Sequence, residues 1–246
     1  MNETLRTVDG RTVLRMERRL AHPVEKVWRA ITEPGHLGAW YPFPVAEMDL
    51  RTGGTIIFDD GAGTVLKAVI TELDPPRVFA FSEHAPSSMP REREDLARFE
   101  LRPDPAGGCL LIFTHTFDDR YAAASYASGW QTCLVALESL LDGRPFTPPE
   151  GNFPELHEEY VIRFHLDEGV RVPAGVRFER QLTKPIPQAR AALEAAGWPP
   201  AEWDLSDGTG HGARLVVTAP DSGDPEAALA EWRRRISDFA RDLGAS

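Results

Sequence analysis

The run TVLRMERRL (Thr12 to Leu20) alternates in the manner of a strand, with Val13, Arg15, Glu17 and Arg19 on one side and Leu14, Met16, Arg18 and Leu20 on the other. Arg18 intrudes on the more apolar side. The period then changes. In AHPVEKVWRAIT, Pro23 suits the first turn of a helix, and Val24, Val27, Trp28 and Ile31 recur at helical spacing. A second short helix is expected from Pro34 to near Trp40. From VAEMDLR to LLIFTHTF the chain gives short alternating runs broken by TGG, DDGAG, DPP and DPAGG, which predicts an antiparallel meander. The stretch DDRYAAASYASGWQTCLVALESLLDG follows. Asp118 or Asp119 can cap it, Gly143 can end it, and Trp130, Cys133, Leu134, Leu137, Leu140 and Leu141 fall on one stripe. Such a helix would be about 35 Å long, enough to cross a sheet. Strand, two helices, meander and long helix make an α+β layer.

The Pro- and Gly-rich RPFTPPEGNFPEL marks a boundary, giving domains 1–148 and 149–246. Beyond it, ELHEEYVIRFHL fits a helix or a strand. VRFERQLTKPIPQARAAL (Val176 to Leu193) then repeats LRMERRLAHPVEKVWRAI (Leu14 to Ile31) without a gap, with six of eighteen positions identical. A loop GWPPAEWDLSDGTGH, one strand GARLVVTAP and a last amphipathic helix PEAALAEWRRRISDFARDL complete this second copy. The middle, from about Tyr41 to Glu100, has no counterpart. The expectation is a truncated, degenerate repeat with two strands, two helices and little core of its own. It would lean on the first domain or on a partner subunit, so a homodimer is one expected partner state.

A formal charge of -11 argues against a nucleic-acid partner, which needs a clustered basic face. No apolar run approaches the about 18 residues of a membrane span. The opening MNETLRTVDGRT is polar, without a signal-peptide core, so a cytoplasmic location is expected. Cys109 and Cys133 sit in apolar segments and are expected to be reduced core thiols rather than a disulfide.

RRLAHPVEKVWRAITEPGHLGAWYP, DLRTGG, ITELDPPRVFAF and GWQTCLVALESLLDG, in this order, resemble the homologues of the activator of heat-shock-protein-90 ATPase, within the START-like or SRPBCC superfamily. The resemblance covers Arg11 to Gly143. It implies a helix-grip fold, an antiparallel sheet around a long C-terminal helix with a cavity between them. The superfamily spans lipid and hormone carriers, polyketide cyclases, oxygenase domains and chaperone activators, so fold alone does not choose a function. The eukaryotic activators carry a separate N-terminal chaperone-binding domain, and none is expected before Arg11.

No catalytic motif or metal spacing emerges, and no cofactor is expected. HEEY (His157 to Tyr160) lacks the second His of a zinc-protease helix. GTGHG (Gly208 to Gly212) lacks the context of a phosphate loop, and TGG is a tight turn. Alternation in PPRVFAFSE groups Phe79, Phe81 and Glu83, and in CLLIFTHTF it groups Leu111, Phe113, His115 and Phe117. If both faces line the cavity, Glu83 and His115 become ionisable groups among aromatics, able to act as acid, base or ligand anchor. The alternative is a solvated Glu83 at a strand end and a His115 hydrogen-bonded within the sheet. Trp40, Phe58, Phe81, Phe99, Phe113, Trp130 and Leu134 complete the expected ligand-lining set, and each could equally be core. EWRRRISDF (Glu231 to Phe239) reads as a solvated helix face better than as a binding patch.

Three functions are therefore open. The leading one is binding of a small lipophilic or aromatic molecule in the grip. The others are a cyclase- or hydrolase-type enzyme using Glu83 and His115, and a chaperone ATPase activator-like interaction protein. If the second copy leans on a neighbour, deleting residues 150–246 will expose hydrophobic surface and lower the melting temperature. A truncated protein that stays monomeric and equally stable overturns that expectation.

Overall fold

The period-two pattern at the start of the chain is realised as strand β2 (Arg11–Leu20), which buries Thr12, Leu14, Met16, Arg18 and Leu20. The computed structural model describes residues 2–84, 93–147, 153–208 and 212–245. The chain divides into two compact units, residues 1–120 with 130–148, and residues 121–129 with 149–246.

The first unit is an α+β structure built on an antiparallel eight-stranded sheet. Its elements are β1 (Asn2–Val8), β2, α1 (Val24–Thr32), α2 (Pro34–Leu37), β3 (Val45–Met48), β4 (Thr55–Asp59), β5 (Val65–Asp74), β6 (Val78–His84), β7 (Asp95–Pro103) and β8 (Cys109–Phe117). The strand order is β1-β2-β8-β7-β6-β5-β4-β3. Helix α3 (Ala123–Leu141) follows, and its residues from Trp130 onward belong to this unit. A large antiparallel sheet and a long closing helix are consistent with the expected helix grip.

Three boundaries differ from the sequence pattern. β1 lies in residues that read as polar, because an edge strand paired only with β2 has little to bury. α2 stops at Leu37, before Trp40. α3 starts after a 3-10 turn at Arg120–Ala122. Asp118, one of the two expected caps, instead accepts hydrogen bonds from Arg11 (3.0 Å) and Arg93 (2.6 Å).

Register places side chains in rows across one face. Met16, Phe113, Phe99 and Phe79 share one row, and Leu14, His115, Ala97, Phe81 and Ile70 the next. Beyond them, Thr12, Phe117, Asp95, Glu83 and Ala68 form a third. At the opposite corner stands Arg18, beside Leu111 and Leu101. Its guanidinium donates to Glu3 (3.0 Å), to the Glu17 carbonyl (2.7 Å) and to Gln131 of α3. The Arg18 and Glu3 side chains are 5% and 1% exposed, so the ion pair is sealed from water.

The second unit holds α4 (Phe153–Arg163), β9 (Val170–Val172), β10 (Gly175–Gln181), α5 (Ile186–Ala195), β11 (Glu202–Asp207), β12 (Ala213–Pro220) and α6 (Pro225–Ala245). ELHEEYVIRFHL thus contributes a helix. The stretch expected as a loop contains β11, and the sheet has four strands in the order β11-β12-β10-β9 rather than two. The expected shortage of core is also corrected. Val176, Phe178, Leu215, Val217, Trp232, Ile236 and Phe239 belong to one buried apolar cluster. Arg180 of β10 is 2% exposed and its guanidinium pairs with Glu158 of α4.

Removing one member of a sealed ion pair leaves the other charge buried alone. Arg18→Ala should cost about 3–5 kcal/mol of unfolding free energy, measured by urea titration. The double variant Arg18→Met, Glu3→Leu should recover most of that loss, since it replaces both charges with apolar volume.

Candidate functional site

The aromatic residues singled out by alternation meet on the sheet face that α3 covers. Phe113 and Trp130 have ring centroids 4.1 Å apart, Phe99 and Phe113 4.9 Å, and Phe99 and Trp130 6.0 Å. Phe58 stacks on Tyr41 at 4.5 Å, and Tyr41 lies 6.1 Å from Phe81 and 5.9 Å from Trp130. Trp40 packs edge-on to Phe99, and its indole N–H donates to the Ala30 carbonyl (2.9 Å), which ties it to α1. Leu134 is fully buried on α3. The expected lining residues are thus brought together, and their rings fill the space with one another. Two cavities of the first unit lie elsewhere, about 530 Å³ beside Pro23, Pro76 and Arg102, and about 450 Å³ beside Arg18, Gln131 and Glu138.

Polar chemistry gathers at one end of this aromatic face. Glu83 of β6 stands directly opposite Asp95 of β7, on the same face. Two carboxylates so placed repel one another, which sheets ordinarily avoid. Each has a donor of its own. The Tyr41 hydroxyl donates to Glu83 Oε1, and His115 Nε2 lies 3.5 Å from Asp95 Oδ2. Trp130 Nε1–H donates to His115 Nδ1 at 3.3 Å. An indole nitrogen can only donate, so Nδ1 must accept, and the proton of a neutral His115 sits on Nε2 facing Asp95. Asp95 and His115 are 2% and 3% exposed, whereas Glu83 is half-buried.

The two expectations for these residues thus divide. His115 is held within the sheet and helix, as the structural alternative required, yet it also faces the aromatic interior. Glu83 is neither free at a strand end nor sealed. Tyr41, Asp95 and Cys133 were missed. Tyr41 follows Trp40 outside any regular element, Asp95 sits in the charged run REREDLARFE, and only strand register brings it opposite Glu83. Burial, and then the nearby negative charge of Glu83, push the Cys133 thiol up to about 12. Burial likewise pushes Cys109 up to about 11. Both cysteines are free and buried, as expected.

Among the described residues no group of three or more His, Cys, Asp or Glu is placed to hold a metal ion. No helix among them is long and apolar enough to cross a membrane.

Residues 21–142 match the family model described as Activator of Hsp90 ATPase homolog 1-like protein. That segment belongs to this family. The Hsp90-activator-like segment contains every residue of the aromatic face and its polar end from Trp40 to Leu134. Solved structures share its fold. CalU16 from Micromonospora echinospora has 20% identity and a TM-score of 0.53, covering 67% of this chain and 95% of that one. A conserved protein of unknown function from Enterococcus faecalis, EF2215, has 18% identity and a TM-score of 0.53, covering 65% of this chain and 89% of that one. No curated protein matches.

The thiols give the Hsp90-activator-like segment a pH signature. Above about pH 9 an unfolded chain loses its thiol protons, while the native state keeps them to about 11 at Cys109 and about 12 at Cys133. The unfolded state then binds fewer protons, so stability falls as pH rises through this window. The urea midpoint should decline between pH 8.5 and 10.5, by less in a Cys109→Ala, Cys133→Ala variant. Native protein at pH 8 should leave both thiols unmodified by a thiol reagent that labels them after unfolding.

Proposed function

We propose that the Hsp90-activator-like domain, residues 1–148, binds a small lipophilic or aromatic molecule between the sheet and α3, with Glu83 and Tyr41 as the polar anchor. One observation carries this reading, a half-buried carboxylate held by a buried phenol at the end of an aromatic surface. A site with apolar walls and few, fixed polar groups is what such ligands require. The rings fill the interior, so a ligand must take the place of aromatic contacts, and the half-exposed Glu83 end is where it would enter. Binding then costs some internal packing and repays it with ligand contacts.

A second reading, proton transfer by Glu83 and His115, draws on Asp95 beside His115 Nε2. It asks more of the site, because Trp130 already occupies Nδ1 and a working base must give up one of the two partners.

We also propose that the second unit is a truncated repeat of the first. Its strand sequence β9-β10-β12-β11 follows the same connectivity as β1-β2-β8-β7, and the aligned arginines Arg18 and Arg180 are both buried.

A thermal-shift screen with lipophilic and aromatic compounds tests the ligand reading. A compound at a hundred times its dissociation constant should add about 2.7 kcal/mol of stability. The shift should shrink in Glu83→Ala and in Tyr41→Phe. A shift retained in both variants retires the polar anchor, and a broad library without any saturable shift overturns the binding reading. If a bound compound is turned over, and turnover alone is lost in His115→Gln, the second reading replaces the first.

A further inference from the structure

The helix segment EWRRRISDF, which reads as a solvated face, also forms one wall of a groove. A groove of about 570 Å³ runs between the C-terminal part of α5 and the second half of α6, within the about 300–1,000 Å³ that small-molecule sites occupy. Ala192 and its small neighbours on α5 leave the space open, and Trp198 and Phe239 line its apolar side. Trp198 is half-buried, braced edge-on against Trp232 (5.6 Å) and Phe239 (5.2 Å). The brace holds an aromatic surface in place before any ligand arrives, which lowers the ordering cost of binding.

Charge is arranged along α6. Arg235 lies over the Trp232 ring at 5.6 Å and donates from Nη2 to Glu231 at 2.9 Å. Its Nε is buried and has no hydrogen-bond acceptor. The side chain as a whole is 28% exposed, so its accessible part can donate a charge-assisted hydrogen bond to a ligand oxygen in the groove. One and two turns further stand two carboxylates of the groove wall, Asp238 and Asp242. Asp238 has only long contacts to Arg234 (3.8 Å) and Arg241 (3.4 Å), and Asp242 is exposed. Arg235 and Asp238 are i,i+3 neighbours, about 5–6 Å apart at Cβ, a span that one ammonium–carboxylate head group can bridge.

We infer that this groove is a binding site for a small aromatic zwitterion of the α-amino-acid type. The ring lies against Trp198 and Phe239. The carboxylate pairs with the exposed part of the Arg235 guanidinium, and the ammonium faces Asp238 and Asp242. Simple aromatic anions meet the two aspartates, and simple aromatic amines meet the arginines, so neither half of the head group alone satisfies the site. The inference is independent of the ligand proposed for the first unit.

Isothermal titration of the full chain with L-phenylalanine tests it, with 3-phenylpropionate, phenethylamine and L-alanine as probes lacking the ammonium, the carboxylate and the ring. Saturable binding of L-phenylalanine is expected, weakened about tenfold or more for each truncated probe. Asp242→Asn, at an exposed position that should not disturb folding, is expected to weaken L-phenylalanine, and so is Arg235→Gln. Glu83→Gln should leave its affinity unchanged. Absence of saturable binding, equal binding of the truncated probes, or affinity unchanged in Asp242→Asn and Arg235→Gln would each overturn the site. Binding lost in Glu83→Gln but kept in Asp242→Asn overturns it too, and places the ligand in the first unit.

Discussion

An eight-stranded antiparallel sheet has to keep water off one face, and in the first unit that need governs the remaining arrangement. Four aligned rows run across the strands, and the two central ones are almost wholly aromatic and aliphatic. Helix α3 supplies the cover with Trp130, Leu134 and Leu137, all buried. Every ionisable group on that face then has to be neutralised locally. Arg18 is matched by Glu3 and Gln131, His115 by Trp130 and Asp95, and Glu83 by Tyr41. Arg18, His115 and Asp95 survive there because each was given a partner, whereas the half-buried Glu83 also meets water.

This also separates the two kinds of charge on the face. Arg18 is tied by three groups and works as a fastener between β1, β2 and α3. Glu83 and Asp95 oppose each other across adjacent strands, an arrangement that strand pairing alone disfavours. Such a juxtaposition adds nothing to packing. It is also where the ligand proposal puts its polar anchor.

Much of this was legible in the chain. The alternation of β2, the helical spacing of α1 and the stripe on α3 were readable because burial imposes its period on residues that are each strongly apolar. β1 was not, since NETLRTV offers only Leu5 and an exposed Val8 as apolar residues and its strand is held by backbone pairing. β11 was hidden by Pro199, Pro200 and the polar residues around Trp203, where sheet contacts override local preference. The aromatic half of the candidate site followed from alternation. Of its acidic pair Glu83 followed too, but Asp95 did not, because it meets Glu83 through register between strands, which composition does not record.

The outer strands have a consequence for how the protein behaves when crowded. β3 is only four residues long, shifts register between Val45 and Glu47, and follows Pro44. At the far side, β1 presents Asn2, Arg6 and Thr7 among largely exposed positions. Short, kinked or charged borders offer a poor template for another chain's backbone. The sheet therefore carries its own stop signals, and copies of this protein can stand side by side at high concentration without zipping into fibres along these borders.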